Sequence, residues 1–298
     1  MRTRKKMSIW KTEERAAWLF VLLPILQLVV FLIVPLFMSL YMSFTNWNVI
    51  TDPKLIGLAN YQSVFEDTFF RKAVVNTLVL MLGIPISIFL SLLVAVVLNR
   101  GMKGSRLFQV LFYVPCICSG VAISILWQWI LNKDYGLLND FLWWAFKIQG
   151  PGWLSDPAWV KPSFILMGIW SLGTNILLYL AALKNVPKEY YEAAELDGAN
   201  AMDKFFKITC PMVTPVTFYI IVMGVINGLQ AFGQTYIMTP DGGPGYSSGT
   251  IVFYIWQKAF GQYKMGYASA VAWMLGIFIL ILTIVQFGLQ RYWVSSAE

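Results

Sequence analysis

Six stretches of this chain, near residues 17–44, 73–98, 107–131, 162–183, 211–238 and 267–290, run long and apolar without a single Asp, Glu, Lys or Arg. Each reaches the roughly 20 residues that a helix needs to cross the hydrocarbon core of a bilayer. Backbone polar groups have no water to bond to at that depth, so a spanning segment in a chain of this kind has to be helical. The predicted fold class is therefore all-α integral membrane, with six transmembrane helices. Composition agrees. The 298 residues are 58% hydrophobic and only 12% charged, where a soluble domain carries about 25% charge.

Lys and Arg in the connecting segments set the orientation. With the N-terminus in the cytoplasm, 14 of the 22 Lys and Arg fall inside and 8 outside, which predicts that both termini are cytoplasmic. The basic start, "MRTRKK", precedes an apolar run too long for a signal peptide and with no small-residue cleavage site after it, so it reads as an uncleaved first span. The expected organisation is a cytoplasmic tail at 1–16, a first helix and outer loop at 17–72, a membrane core at 73–290 and a short cytoplasmic tail at 291–298. The outer segment 132–161 carries Trp143, Trp144, Trp153 and Trp159, which suit either the membrane interface or contact with an external partner.

Several functions are excluded or made improbable by what the chain lacks. It has no histidine, so His-based acid–base chemistry and His metal sites are absent. Cys116, Cys118 and Cys210 lie in or beside apolar runs and read as small packing residues rather than as a disulfide framework or a metal site. The dipeptide Gly-Lys never occurs, so the chain has no phosphate-cradling loop of its own. No intramembrane acid is present to serve as a proton relay. Nothing in the basic residues resembles a nucleic-acid surface. Na⁺ coupling through backbone carbonyls stays open; otherwise uphill transport by such a chain would draw its energy from another polypeptide.

The spans do hold uncharged polar groups. Trp170, Ser171, Thr174 and Asn175 lie in the fourth run. Asn227, Gln230 and Gln234 recur at spacings of three and four in the fifth, which predicts one shared helical face. Amides and hydroxyls beside aromatic rings suit sugar hydroxyls. They equally suit hydrogen bonding between helices. The pair Gly224 and Gly228 is expected to let two helices approach closely.

Five of the 15 acidic residues crowd into 189–211, "EYYEAAELDGANAMDKFFKITCP". Asn185 and Pro187 are plausible helix-start residues. Glu189, Glu192 and Glu195 then form an acidic ridge beside the small Ala193 and Ala194. Asp197-Gly198 breaks the helix, and a second short helix with Phe205 and Phe206 leads to Pro211. The prediction is a helical elbow on the cytoplasmic side, charged on one face and greasy on the other, shaped for a socket on another protein. Farther on, Asp241-Gly242-Gly243-Pro244-Gly245 predicts a tight outer turn, either a plain connection or a contact with an external protein.

The string "EAAELDGA" (192–199) followed by "FFKITCP" resembles the EAA loop of permease subunits in ATP-binding-cassette importers. One departure is Cys210, where that family usually has Leu. "GLANYQSVFEDTFFRKAVVNTL" (57–78) and "DGGPGYSSGTIVFYIWQKAF" (241–260) are similar to outer-loop patterns of carbohydrate-uptake permeases of the maltose and glycerol-phosphate type. The resemblance covers roughly residues 15–290. It implies the type I importer permease fold in a bacterial-type inner membrane, with a coupling helix between helices 4 and 5 seated on a cytoplasmic ATPase. Glu192, Ala193, Ala194, Asp197, Gly198 and Ala199 match the motif, as do Phe205, Ile208 and Pro211. It also implies a second related permease, two ATPase subunits that hold ATP and magnesium, and an extracytoplasmic solute-binding protein touching Gly242, Gly243 and Pro244. The cargo would be a di- or oligosaccharide or glycoside. No cofactor would be bound by this chain, and no catalytic residue would lie in it. The competing reading is a self-sufficient secondary transporter or channel, which predicts intramembrane charges, broken helices or symmetric halves.

Overall fold

The computed structural model describes residues 2–294; Met1 and the last four residues of the C-terminal tail lie outside it. The described residues are helical, with one isolated bridge, Thr45 to Leu55. Three helices are long and apolar enough to cross a membrane: α1 (Ala17–Ser43), α3 (Thr68–Asn99) and α14 (Met265–Gln290). A short α2 (Ala59–Glu66) precedes α3. Three further spans arise if bent pairs count as one. They are α4 with α5 (Ser105–Ile117, Gly120–Ile130), α7 with α8 (Val160–Trp170, Gly173–Lys184), and α10 with α11 (Ala201–Met212, Thr214–Leu229). The remaining helices are α6 (Leu137–Phe146), α9 (Lys188–Leu196), α12 (Gly233–Met238) and α13 (Ile251–Trp256).

The predicted continuity of the third, fourth and fifth runs is corrected. The pairs bend by 100°, 44° and 65° respectively. Pro115 and the extended Cys118 and Ser119 break the third run. Pro215, on the first turn of α11, lacks an N–H and crowds the carbonyl four residues earlier, so the chain kinks at Val213. The fifth run breaks again after Leu229 and resumes at Gly233. Broken spans, counted above toward a secondary transporter, are thus present here.

The chain divides into two compact units. In the first (residues 2–64 and 258–273), α1 has none of its apolar window buried. Its end is tied off by the "GLANY" motif: the buried Asn60 amide donates to the carbonyls of Ser43 and Thr45, each at 2.8 Å. Ser43 Oγ and Tyr61 OH share a hydrogen bond of 2.7 Å.

In the second unit (65–257 and 274–294), the inner core gathers Leu92, Ala95 and Leu98 of α3, Ile176, Tyr179 and Leu183 of α8, and Ile220 of α11. A second cluster holds Leu131, Val160, Phe164, Met167 and Met238. The expected close approach is present. A Cβ on Gly228 would come within 2.9 Å of Met81, and one on Gly224 within 3.1 Å of Ile84, so α11 lies tight against α3.

The two outer motifs bind each other inside this unit. Asn76, 4% exposed, donates to the carbonyls of Tyr246 and Gly249 at 2.7 and 3.0 Å. Thr77 Oγ1 accepts from the N–H of Ile251. A buried acceptor left without its donor costs about 1–3 kcal/mol. Asn76→Leu is therefore expected to lower stability by about 2 kcal/mol, because the amide holds two carbonyls. Tryptophan fluorescence during thermal unfolding in detergent checks this, and an unchanged midpoint contradicts it.

Candidate functional site: a cavity at the helix breaks and a helical elbow

The breaks in the spans converge on a cavity of about 590 Å³ within the second unit. Cys116, Cys118 and Ser119 line it at the kink between α4 and α5, Ser171 at the end of α7, and Asn227, Phe232 and Gln234 around the break between α11 and α12. A broken helix presents backbone and short polar side chains that a continuous one would use up, which is why irregular backbone at membrane depth belongs beside cavities. Asn227, Ala231 and Gln234 also border a neighbouring hollow of about 270 Å³, so the two amides stand on the ridge between the spaces.

The expected single face of Asn227, Gln230 and Gln234 is corrected by the break. Gln230 caps the end of α11 and is outside the cavity lining, while Asn227 and Gln234 both line the cavity from either side of the break. Trp170 packs edge-on against Trp127 at 5.7 Å, and Asn175 sits half-buried on α8; neither lines the cavity. Sequence reasoning missed Cys116, Cys118 and Phe232 as lining groups. The signal available for the first two was Pro115 and Gly120 inside one apolar run.

Next to the cavity, the 241–250 loop is folded inward. Asp241, Gly242, Gly243, Gly245 and Tyr246 all have positive φ. The Tyr246 ring occupies the space that side chains at 242 and 249 would need, so both positions have to be glycine. Gly242 is buried, Gly243 and Pro244 are half-buried, and Asp241 and Gly245 are exposed. Burial, then the nearby Asp67 carboxylate, pushes the Tyr246 phenol up. Ser248 bonds to Thr239 and to the Gly242 carbonyl. Thr250 donates to Ala231 O at 2.6 Å, fastening the loop to the broken end of the fifth span.

At the opposite end of that span lies the elbow. Pro187 is extended and α9 begins at Lys188, while Asn185 ends α8 rather than starting a helix. Asp197 closes α9 and Gly198 turns the chain at φ 78°. Asn200 caps α10 by accepting from the N–H groups of Met202 and Asp203. Glu192, Ala193, Asp197 and Gly198 are exposed. Ala194, Ala199, Phe205, Ile208 and Pro211 are half-buried. Leu196 is 91% exposed, with Met202 and Phe206 also uncovered. Two ion pairs brace the surface: Lys204–Glu195 at 2.6 Å and Lys207–Asp203 at 2.8 Å. The hydrogen bond and charge of Lys204 hold Glu195 below the usual carboxylate range, and Lys207 does the same for Asp203. Carboxyls lowered in this way support the folded form above the usual carboxylate range, and the support is lost as pH falls through the lowered values.

Residues 56–296 match the family described as binding-protein-dependent transport system inner membrane component. The chain belongs to this family. It is a multi-pass, membrane-spanning component of a transport system, which sets aside the self-sufficient transporter despite the broken spans. It is 36% identical to the probable ABC transporter permease protein YesP of Bacillus subtilis (strain 168), over 98% of this chain and 95% of that one. It is 33% identical to the lactose transport system permease protein LacF of Rhizobium radiobacter, over 98% and 99% of the two chains. A chain in the crystal structure of a bacterial alginate ABC transporter, in complex with an alginate pentasaccharide-bound periplasmic protein, has the same fold. Its TM-score is 0.79 at 24% identity, over 95% of this chain and 96% of that one. The all-α importer-permease fold expected from the sequence is thus the observed one.

Gly198 has no atom within 4 Å of where a Cβ would sit, so its requirement is conformational, not steric. Side chains in the left-handed region cost roughly 1–2 kcal/mol, less for Asn. Gly198→Asn is expected to keep the elbow's resistance to limited proteolysis, and Gly198→Val to raise cleavage near residue 198 several-fold. Equal protection in both variants would show that the turn does not need its positive φ.

Proposed function

We propose that this permease forms one half of the translocation pathway of an ATP-driven importer for a sugar, a di- or oligosaccharide or glycoside. A second related permease would complete the pathway. Two cytoplasmic ATPase subunits would hold ATP and magnesium and do the hydrolysis, so this chain would be non-catalytic and bind no cofactor. An extracytoplasmic solute-binding protein would deliver the sugar to the outer surface around Gly243 and Pro244, with Gly242 supporting the loop from beneath. The Lys and Arg bias supports cytoplasmic termini and a cytoplasmic elbow.

The observation that carries the reading is a covalent one. The elbow passes directly through α10 into α11, and α11 ends at the cavity. A movement imposed on α9 at one end of this span would reach Asn227 at the other end of α11 as a rigid-body change, and Gln234 across the break. Exposed Leu196, Met202 and Phe206 beside Glu192 and Ala193 suit a socket on an ATPase subunit. Amides and hydroxyls beside Phe232 suit sugar hydroxyls and the flat apolar face of a pyranose ring. The relatives named for lactose and alginate support the substrate class.

Two experiments test this. Co-expression with the neighbouring open reading frames, gentle solubilisation and mass spectrometry should recover a second permease and a cassette ATPase. Purification of the chain alone, with transport in liposomes lacking ATP, overturns the proposal. In the assembled complex, Glu192→Lys is expected to cut ATP-driven uptake by about tenfold or more, the equivalent of roughly 1.4 kcal/mol or more of coupling. Asn227→Ala and Gln234→Ala should raise the KM for uptake several-fold with near-normal basal ATPase, and Gln230→Ala should change it little. Uptake indifferent to the first two would return them to a packing role.

A further inference from the structure

Phe205 packs the elbow onto the inner core, but beside it lies a cavity of about 440 Å³, bordered also by Val96, Asn99, Arg100 and Leu183 at the ends of α3 and α8. Two polar contacts cross the bend between α9 and α10. Glu195, on the last turn of α9, meets Lys204 at 2.6 Å. One turn earlier, Tyr191 OH and Thr209 Oγ1 lie 3.0 Å apart, with Thr209 5% exposed. All four residues line the same cavity. The chain between the two helices is only Asp197, Gly198, Ala199 and Asn200, with Gly198 in the left-handed region, a short segment of the kind that serves as a hinge.

We propose that Glu195–Lys204 and Tyr191–Thr209 clasp this hinge and make the elbow a rigid lever, so that a push on α9 goes into the fifth span and is not absorbed at Asp197–Asn200. These are positioning residues, and the proposal rests on the docking reading of residues 189–211 given above. Apolar packing reaches the α10 side of the bend through Phe205, whereas Tyr191 and Glu195 of α9 border the cavity and reach across the bend by polar contacts. An exposed ion pair adds little to folding stability; its value here is to fix an angle. The two contacts lie nine and eighteen residues apart in sequence and on successive turns of α9, so together they stop both swing and twist. The hydrogen bond and charge of Lys204 lower the Glu195 carboxyl from its ordinary value.

The test uses the assembled transporter in proteoliposomes and the full-length chain in nanodiscs. Lys204→Glu and Glu195→Lys singly are expected to lower sugar taken up per ATP hydrolysed about fivefold, with the ATPase still co-purifying. The double exchange Glu195→Lys/Lys204→Glu should return the ratio to within twofold of the native one. Tyr191→Phe/Thr209→Val should lower it similarly. In nanodiscs, without any partner, each clasp-breaking variant should speed amide exchange over 197–200 by about tenfold, and the charge-exchanged double variant should not. The clasp is overturned if the single variants couple normally, if the double exchange fails to restore coupling while the ATPase stays bound, or if exchange over 197–200 is unchanged. Failure of the native chain to hold an ATPase defeats the docking reading instead, and the exchange measurement then still decides the clasp.

Discussion

Every backbone N–H and C=O at membrane depth must find its partner inside the protein, and the rest of this structure follows from how that demand is met where helices stop. Unbroken helices such as α1 and α14 satisfy it within themselves. The broken spans cannot, so buried side chains take over. Asn60 holds the carbonyls at the end of α1. Asn76 and Thr77 serve the loop that leads to α13. Thr250 reaches the carbonyl of Ala231 at the gap in the fifth run. Each of these polar residues is expensive to bury unpaired, and each is paired with backbone that regular helix has left unsatisfied.

The same breaks create the functional space. A continuous helix through residues 211–238 would have turned Asn227, Gln230 and Gln234 outward together along one stripe. Ending α11 at Leu229 and restarting at Gly233 separates Gln230 from the other two and leaves Asn227 and Gln234 on opposite sides of a gap. The kink at Cys118–Ser119 brings a second polar edge to the same cavity. Breaks that would weaken a helix in isolation are thus what brings polar groups to a pocket in a chain whose apolar runs carry no charge.

The fifth span also joins the two ends of the mechanism. One end grows out of an elbow with an exposed acidic and apolar surface, and the other end meets the cavity and, through Thr250, the glycine loop. The elbow is braced across its bend by an ion pair and a hydrogen bond beside a cavity, with Phe205 packed onto the core.

Much of this was legible in the residues alone, for reasons of local chemistry. Long uncharged runs force helices in lipid, so the fold class followed, and six spans are counted if each bent pair is one. Residues 187–200 carry their own punctuation, in Pro187, Asp197 and Gly198, so the elbow's outline followed too. Gly224 and Gly228 marked a close helix contact because only a missing side chain permits one. Pro115 and Pro215 signalled kinks, but hydropathy read across them, since a proline or a serine costs little on such a scale. What the tertiary structure alone decided were pairings between residues distant in sequence, Asn76 with the 246–249 carbonyls and Tyr191 with Thr209, and the cavity that Asn227 and Gln234 line together on either side of a helix break. Sequence periodicity reports which face a residue occupies while its helix lasts. Once a helix breaks, only the packing of its neighbours settles where the next residue points.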